Sequence, residues 1–425
     1  MRVRSTPFQF NALRTSARIA TAVITLTVLA ACATDKPGPT DLNARVAAAQ
    51  SGVPFGVGLA SPAWQDTARH FVSVTAGFNP IVAGHAYPVL GVAQYLAVQR
   101  AEAAIGNGNG GRARLETDRG AVAGASAVVL TYLFPTHAQD FEDLVTTQAN
   151  AGPGQPHPAF IAAEAIGRSV GNEIVTRTRS DGFSNPNIIV VPTGPGKWVS
   201  STTPPSKPAG GQLQGVTPWF LTSVDQFRSV PPPVYLSPEF NAALVEIRTM
   251  ADTGNAEMRR IAGFWAFNAG TPTAAGYWLD IASQQIVQHG LSERDATHVF
   301  ALTSATMFDA VIGCWDAKLT YWLIRPWNAD PGIVPLPSMG APPPNHPSYP
   351  SGHSCVSSSG AAVLSAFFPD EQAQLDAMVI DAGLSRMYGG IHYRFDIEAG
   401  RTLGRSVAAF TIAQDASGNS VLTAH

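Results

Sequence analysis

Four long stretches of the chain place apolar residues at steps of three and four, the spacing of one helix face. They are AYPVLGVAQYLAVQRAEAAI, FIAAEAIGRSVGNEIVTRT, SPEFNAALVEIRTM and ERDATHVFALTSATMFDAVIGCWDAKLTYWLIR, each rich in good helix formers. A fifth, AVAGASAVVLTYLF at 121–134, is apolar almost throughout but too short to cross a bilayer, so it predicts a buried helix. Strict two-residue alternation is scarce, and IIVVPT at 188–193 is the one short strand-like run. Glycine and proline interrupt the pattern twice. GNGNGGR at 106–112 predicts a flexible loop, and the proline-dense stretch 192–238 predicts a long ordered loop lying over the helices. No repeat of about 20–50 residues is visible. The pattern predicts an all-α fold, a helical bundle with long Pro/Gly-rich loops, in one domain over 55–415 with a tail at 416–425.

The N-terminus follows a different pattern. Arg2, Arg4, Arg14 and Arg18 precede the apolar run IATAVITLTVLAAC from Ile19 to Cys32. A basic start, a short apolar stretch and small residues at its end describe a secretory signal. Leu29-Ala30-Ala31-Cys32 resembles a bacterial lipobox, which implies loss of 1–31 and a lipid on the Cys32 thiol. An ordinary signal peptide cut near Ala33 is the alternative. The polar run ATDKPGPTD opens a tether over 32–54. The expectation is an exported protein of the cell envelope, on the periplasmic side or outer surface, touching membrane only through its N-terminal lipid.

Composition adds two constraints. Apolar residues make up 45% and charged residues only 13%, about half the usual charged share, so much of the surface is neutral polar, Ala, Gly and Pro. A net charge of −3 offers no basic field for nucleic acid, and any anion site has to be a local cluster of cations. With Cys32 lipidated, Cys314 and Cys355 remain, and in an exported protein they read either as a disulfide or as two free buried thiols.

Three segments supply such a cluster. In CWDAKLTYWLIRPWN, Lys318 and Arg325 are two helical turns apart and so share one face, with the helix ending at Pro326. Burying two cations there is costly without an anion; snorkelling to solvent is the alternative. In NHPSYPSGHSC, Ser351 is an N-cap, Gly352 lets backbone approach a ligand closely, and His353 stands on the first turn of the following helix. A capped helix with a structural histidine is the plainer reading. In LSRMYGGIHYRFDIEAGRTLGRSVAAF, Arg386 nears the end of one helix and Gly389-Gly390 breaks the chain. A second helix starts near His392, whose imidazole is four residues from the Asp396 carboxylate. That pairing fixes the tautomer and leaves the other nitrogen as nucleophile or ligand; a surface His–Asp pair is the bland alternative. Gly400 and Gly404 share a face open to another helix. Together the segments offer three cations, a backbone anion nest and two histidines, the set a tetrahedral oxyanion needs.

K-x6-RP (Lys318, Arg325, Pro326), PSGH (Pro350–His353) and SR-x5-H-x3-D (Ser385, Arg386, His392, Asp396) resemble, in order and spacing, the signature of the vanadium-dependent haloperoxidase and type 2 phosphatidic acid phosphatase (PAP2) superfamily. FNPIVAGHAYPVLGVAQYLAVQRAEA, SVDQFRSVPPPVYLSPEFNAALVEI and GFWAFNAGTPTAAGYW extend the resemblance to about 60–415 and to the bacterial haloperoxidase-like branch. One departure is Trp265-Ala266-Phe267-Asn268, where the family pattern has Trp-Ala-Asp-Gly. The resemblance implies vanadate as cofactor, with His392 as its axial ligand oriented by Asp396 or a nearby carbonyl. It implies that Lys318, Arg325 and Arg386 neutralise the equatorial oxygens, helped by Ser351 and the Gly352 N–H, and that His353 serves as acid/base. The implied reaction is oxidation of halide by hydrogen peroxide, followed by halogenation of a small organic acceptor. The same residues fit a PAP2-type acid phosphatase that needs no vanadate, acting on a phosphomonoester through a phosphohistidine at His392. His346, seven residues before His353, matches a histidine of the family's bromoperoxidases and favours bromide; a loop histidine bonded to a backbone carbonyl is the alternative. Trp315 reads as a halide-pocket wall or as core. The family also forms dimers and larger assemblies, so a homo-oligomer is compatible with the resemblance.

Overall fold

The computed structural model describes residues 58–105, 112–151 and 157–423. The signal and tether segments, Cys32 included, lie outside the described residues, as does the glycine-rich loop up to residue 111. Among the described residues there are thirteen α-helices and no β-strand. In chain order they are α1 (Ala60–Val74), α2 (Pro80–Ile105), α3 (Arg112–Leu133), α4 (Ala138–Ala149), α5 (Pro158–Arg179), α6 (Pro238–Thr253) and α7 (Ala256–Phe264). Then follow α8 (Thr273–Gln288), α9 (Glu293–Tyr321), α10 (Pro326–Ala329), α11 (Gly352–Phe367), α12 (Gln372–Tyr388) and α13 (Arg394–Ala416). The expected all-α fold is what the structure shows.

Helix α9 is the axis of the bundle, packed by α2, α8, α11 and α13. Every residue from Val299 to Leu319 is buried. A helix buried on all sides loses the one-sided pattern of a surface helix. Phe300, Phe308 and Ile312 are among its buried side chains, each contributing about 1.5–3 kcal/mol. Helices α2 and α9 are long and apolar enough to cross a bilayer, but 83% and 94% of their apolar windows are buried within the protein.

Polar side chains on α9 tie down what lies around it. Glu293 accepts from the N–H groups of Ala60 (2.6 Å) and Ser61 (2.8 Å), closing the start of α1. Asp309 accepts from the N–H groups of Trp219 (2.8 Å), Phe220 (2.7 Å) and Leu221 (3.0 Å). Asp316 takes the Arg228 guanidinium through two bonds of 2.6 and 2.8 Å. The Pro-rich segment between α5 and α6 is thus pinned across the bundle, as its composition predicts. Its strand-like piece, 188–193, forms no ladder; the isolated bridge is Lys197 with Leu323.

Close helix contacts depend on glycine. A Cβ on Gly120 would lie 2.2 Å from the Phe160 carbonyl oxygen, and one on Gly167 would lie 2.1 Å from that of Ala121, so α3 and α5 meet backbone to backbone. Gly404 does the same for α13 against α11, where a Cβ would lie 2.1 Å from Ser358 Oγ and 2.4 Å from the Cys355 oxygen.

Candidate active site

Helix α9 ends at Tyr321, one turn short of the point where sequence placed its end. Trp322 adopts a left-handed conformation (φ 57°), its ring is buried near Trp198, and the chain reverses. Lys318 and Arg325 therefore do not share a helix face. Arg325 lies in extended chain as the N-cap of α10, and the reversal brings it back beside the site.

Both cations are committed to main chain. Lys318 Nζ donates to the carbonyls of Pro347 (2.8 Å) and Ser348 (2.9 Å) and also to that of Pro350. Arg325 Nε donates to the His346 carbonyl (3.0 Å), and its Nη1 donates to that of Ile391 (2.5 Å). The two residues hold the 346–350 loop and the turn before His392 in one place. Neither snorkels, since both are fully buried.

Ser351 caps α11 by accepting from Ser354 N–H (3.4 Å), and its own N–H donates to the Asp396 carbonyl (2.9 Å). Gly352 and His353 form the first turn and line a cavity. His353 Nε2–H donates to the Trp265 carbonyl (2.9 Å), leaving Nδ1 as the basic nitrogen. The same carbonyl accepts from Arg386 Nη2 (2.7 Å), and Arg386 Nε donates to Ser385 Oγ (2.9 Å). The Trp265 oxygen, presented at the C-cap of α7, thus sets both His353 and Arg386. Sequence reading missed it, because a carbonyl carries no residue signature. In the departing segment, Phe267 has φ 43° and Asn268 donates to the Ser338 carbonyl (2.9 Å).

His392 precedes α13, with Tyr393 as N-cap. Its Nδ1–H donates to Asp396 Oδ2 (2.8 Å), so Nε2 carries the lone pair and accepts from Arg325 Nη1 (3.1 Å). Asp396 Oδ2 also accepts from Ser348 Oγ–H (2.5 Å) and Tyr393 N–H (3.1 Å). Ser348 was not singled out from sequence. His346 is half-buried, its Nδ1 accepts from Arg325 Nη2 (3.2 Å), and its ring sits 5.0 Å from that of Trp315. Cys314 and Cys355 are free and buried, as in the second of the two sequence readings, and the Cys314 thiol donates to the Pro350 carbonyl (3.7 Å).

Charge gives this arrangement its meaning. Lys318, Arg325 and Arg386 are buried together, and Asp396 is the one carboxylate acting on the first two. Arg386 feels the charge of Arg325, which repels it. Burial pulls Lys318 down to about 8, Arg325 to about 10 and Arg386 to about 9. Burial, then the neighbouring cations, holds His346, His353 and His392 well below the ordinary histidine range, so all three are neutral at pH 7. Burial outweighs the Ser348 hydrogen bond and pushes Asp396 up to about 6. Three buried positive charges against one carboxylate leave an excess that a dianion would neutralise. Among the described residues no group of three or more His, Cys, Asp or Glu is placed to hold a cation. The donor set fits a tetrahedral oxyanion.

The site opens into a cavity of about 450 Å³, lined by His346, Gly352, His353, Arg386 and His392 at one end. Lys318, Arg325 and Ser351 lie behind that wall and act through the loop and through the field.

Residues 296–417 match the family model described as the PAP2 superfamily, a span holding every site residue from Lys318 to Asp396. Among solved structures the chain is similar to a bacterial vanadium-dependent iodoperoxidase, at 24% identity and TM-score 0.69, over 84% of this chain and 97% of that one. It is also similar to a bacterial vanadium-dependent chloroperoxidase in its holo form, at 12% identity and TM-score 0.60, over 83% and 94%. The apo form gives 12% identity and TM-score 0.62, over 82% and 96%. At these identities the likeness is one of fold. No curated protein matches the chain.

Proposed function

With residues 296–417 a PAP2-superfamily region and the whole fold that of vanadium haloperoxidases as premise, we propose that this chain is a vanadate-dependent haloperoxidase that oxidises halide, bromide in preference, with hydrogen peroxide. The observation that carries the reading is the buried excess of positive charge beside a neutral His392 whose Nε2 lone pair is fixed by Asp396. Vanadate held there supplies a Lewis-acidic centre that activates peroxide toward two-electron oxidation of halide. Nε2 of His392, its tautomer fixed by Asp396, would hold the metal, and Arg386 and the Gly352 N–H would take up the anion's oxygens. Lys318 and Arg325 offset its charge from behind the loop.

Protons are handled by histidine. Oxidation of X⁻ by H₂O₂ to HOX and water takes up one proton at neutral pH. His353, with Nδ1 unoccupied by protein, accepts a proton from incoming peroxide and returns it to the leaving oxygen. His346 shares Arg325 with His392 and lines the same cavity, which supports its role in the proton balance and the bromide preference.

The test is a pair of assays on purified protein. With orthovanadate, peroxide and bromide, bromination of a cyclic dione is expected. Without vanadate, p-nitrophenyl phosphate should be turned over far more slowly. Turnover confined to the second assay would replace the peroxidase reading with a phosphatase.

A further inference from the structure

Three helices begin at the cavity: α2 at residues 79–81, α8 at 273–275 and α11 at 352–353. A helix leaves the N–H groups of its first turn without partners inside the helix. Two of the three are capped by their own chain. Asn79 Oδ1 accepts from the N–H groups of Ile81 (2.9 Å) and Val82 (3.2 Å), and Ser351 caps α11. Helix α8 is not capped in this way. Pro272 stands at its N-cap, and no side chain there accepts. Thr273 N–H turns back to Thr271 Oγ1 (3.1 Å), whose own O–H donates to the Asn268 carbonyl (2.7 Å). The buried N–H groups of Ala274 and Ala275 have no acceptor among the described residues.

Thr273 gives a second, independent sign. It is 1% exposed, it lines the cavity, and its Oγ1 has no hydrogen-bond partner. Leaving a buried hydroxyl unmatched is costly. Its backbone is also left-handed (φ 66°), a conformation that strains a β-branched residue. Tyr87 holds this turn in place, since its O–H donates to the Pro272 carbonyl (2.7 Å). A Cβ on Gly276 would lie 2.4 Å from the same Tyr87 oxygen, so the helix start fits closely against it. One buried hydroxyl and two buried N–H groups thus stay unmatched where α8 meets the cavity.

The chemistry of these groups selects the ligand. All three can donate, and the helix N-terminus adds a partial positive charge. No Asp or Glu lines the cavity, and Arg386, the one permanent cation in the lining, belongs to the oxyanion site. The α8 groups therefore offer donors without a whole cation, which suits a monovalent ion rather than a tetrahedral dianion. The apolar wall of Ile81, Met307 and Val311 favours an ion that gives up water easily, which among the halides means bromide or iodide.

We propose that the start of α8 is a halide subsite, where Thr273 Oγ–H and the N–H groups of Ala274 and Ala275 bind bromide or iodide in the cavity that His353 and Arg386 also line. This rests on the haloperoxidase reading for what the halide does next, whereas the binding itself does not. Thr273 is then a specificity-determining residue, separate from those that hold the oxyanion.

Binding is tested on protein saturated with inorganic phosphate, which fills the oxyanion site under either chemistry. Chloride NMR line broadening is followed as bromide is added. Broadening that bromide displaces is expected, with bromide affinity falling about tenfold in Thr273→Val and recovering in Thr273→Ser. Thr273→Asp, whose carboxylate suits a helix N-terminus and a left-handed backbone, keeps the fold and should abolish the displacement. No displaceable broadening in the wild type, which would leave water as the occupant, overturns the subsite. Wild-type affinity in Thr273→Asp overturns it as well. Vanadate-loaded protein gives a second readout. Thr273→Val should raise the bromide KM about tenfold and leave the peroxide KM in place; an equal rise in both overturns a halide-specific role. If bromide-dependent peroxide consumption is absent altogether, the haloperoxidase reading fails while the chloride titration still decides the subsite.

Discussion

Asp396 has more depending on it than any other single side chain in the site. One oxygen accepts from Ser348, His392 and Tyr393, so its loss strands three buried donors and frees the imidazole to rotate. Asp396→Ala should weaken vanadate binding about 10–100-fold in equilibrium dialysis. It should also lower stability by about 1–3 kcal/mol in urea unfolding. Asp396→Asn, which keeps an acceptor for the Nδ1–H, should lose less of both; equal losses would mean that orientation of His392 is not what the carboxylate supplies. The link between the residues was legible from their spacing of four. The Trp265 carbonyl and Ser348 were not, because neither main-chain acceptors nor a serine in a loop announce a partner.

Lys318 makes a prediction through pH. Its folded value, about 8, is below the ordinary lysine value of 10.5. Between those values the unfolded chain holds a proton that the folded protein lacks, so stability rises with pH there. Below pH 8 both states are protonated and the full cost of the buried charge is present. A bound oxyanion offsets that charge and raises the folded value. Orthovanadate should therefore raise the melting temperature more at pH 7 than at pH 10. A gain that is equal at both, measured by differential scanning calorimetry, would show that Lys318 does not feel the anion.

At the level of elements, the long helices were readable because their apolar spacing repeats, and the ends were not. The α9 helix stops at a left-handed Trp322, where glycine is usual, so no residue type marked the boundary. That ending explains how Lys318 and Arg325 reach one site without sharing a face. The small-residue face of α13 was legible, and its partner, α11, became visible only in the fold. Because α11 presents Ser351–His353 and α13 follows directly from His392, the contact at Gly404 sets the distance between the two halves of the site. Gly404→Ala should cost about 1–3 kcal/mol of stability by overpacking. It should also lower kcat with little change in the halide KM; unchanged unfolding and turnover would show that the helices can separate freely.

At the scale of the molecule, apolar helices build a rigid frame in which cations are buried against loop carbonyls. Composition foreshadowed this, since so low a charged share leaves little reason for three cations in two short segments except an anion. What it could not foreshadow is the mostly apolar cavity, assembled from loops and helices distant in sequence. The central claim is that the buried positive charge and His392 together make a vanadate site for halide oxidation. The most direct measurement is the rate of bromide-dependent peroxide consumption as orthovanadate is titrated into metal-free protein, alongside His392→Ala. The rate is expected to rise in proportion to bound vanadium, to saturate at one per chain and to be absent in the variant. A rate indifferent to vanadium, or retained in His392→Ala, would contradict it.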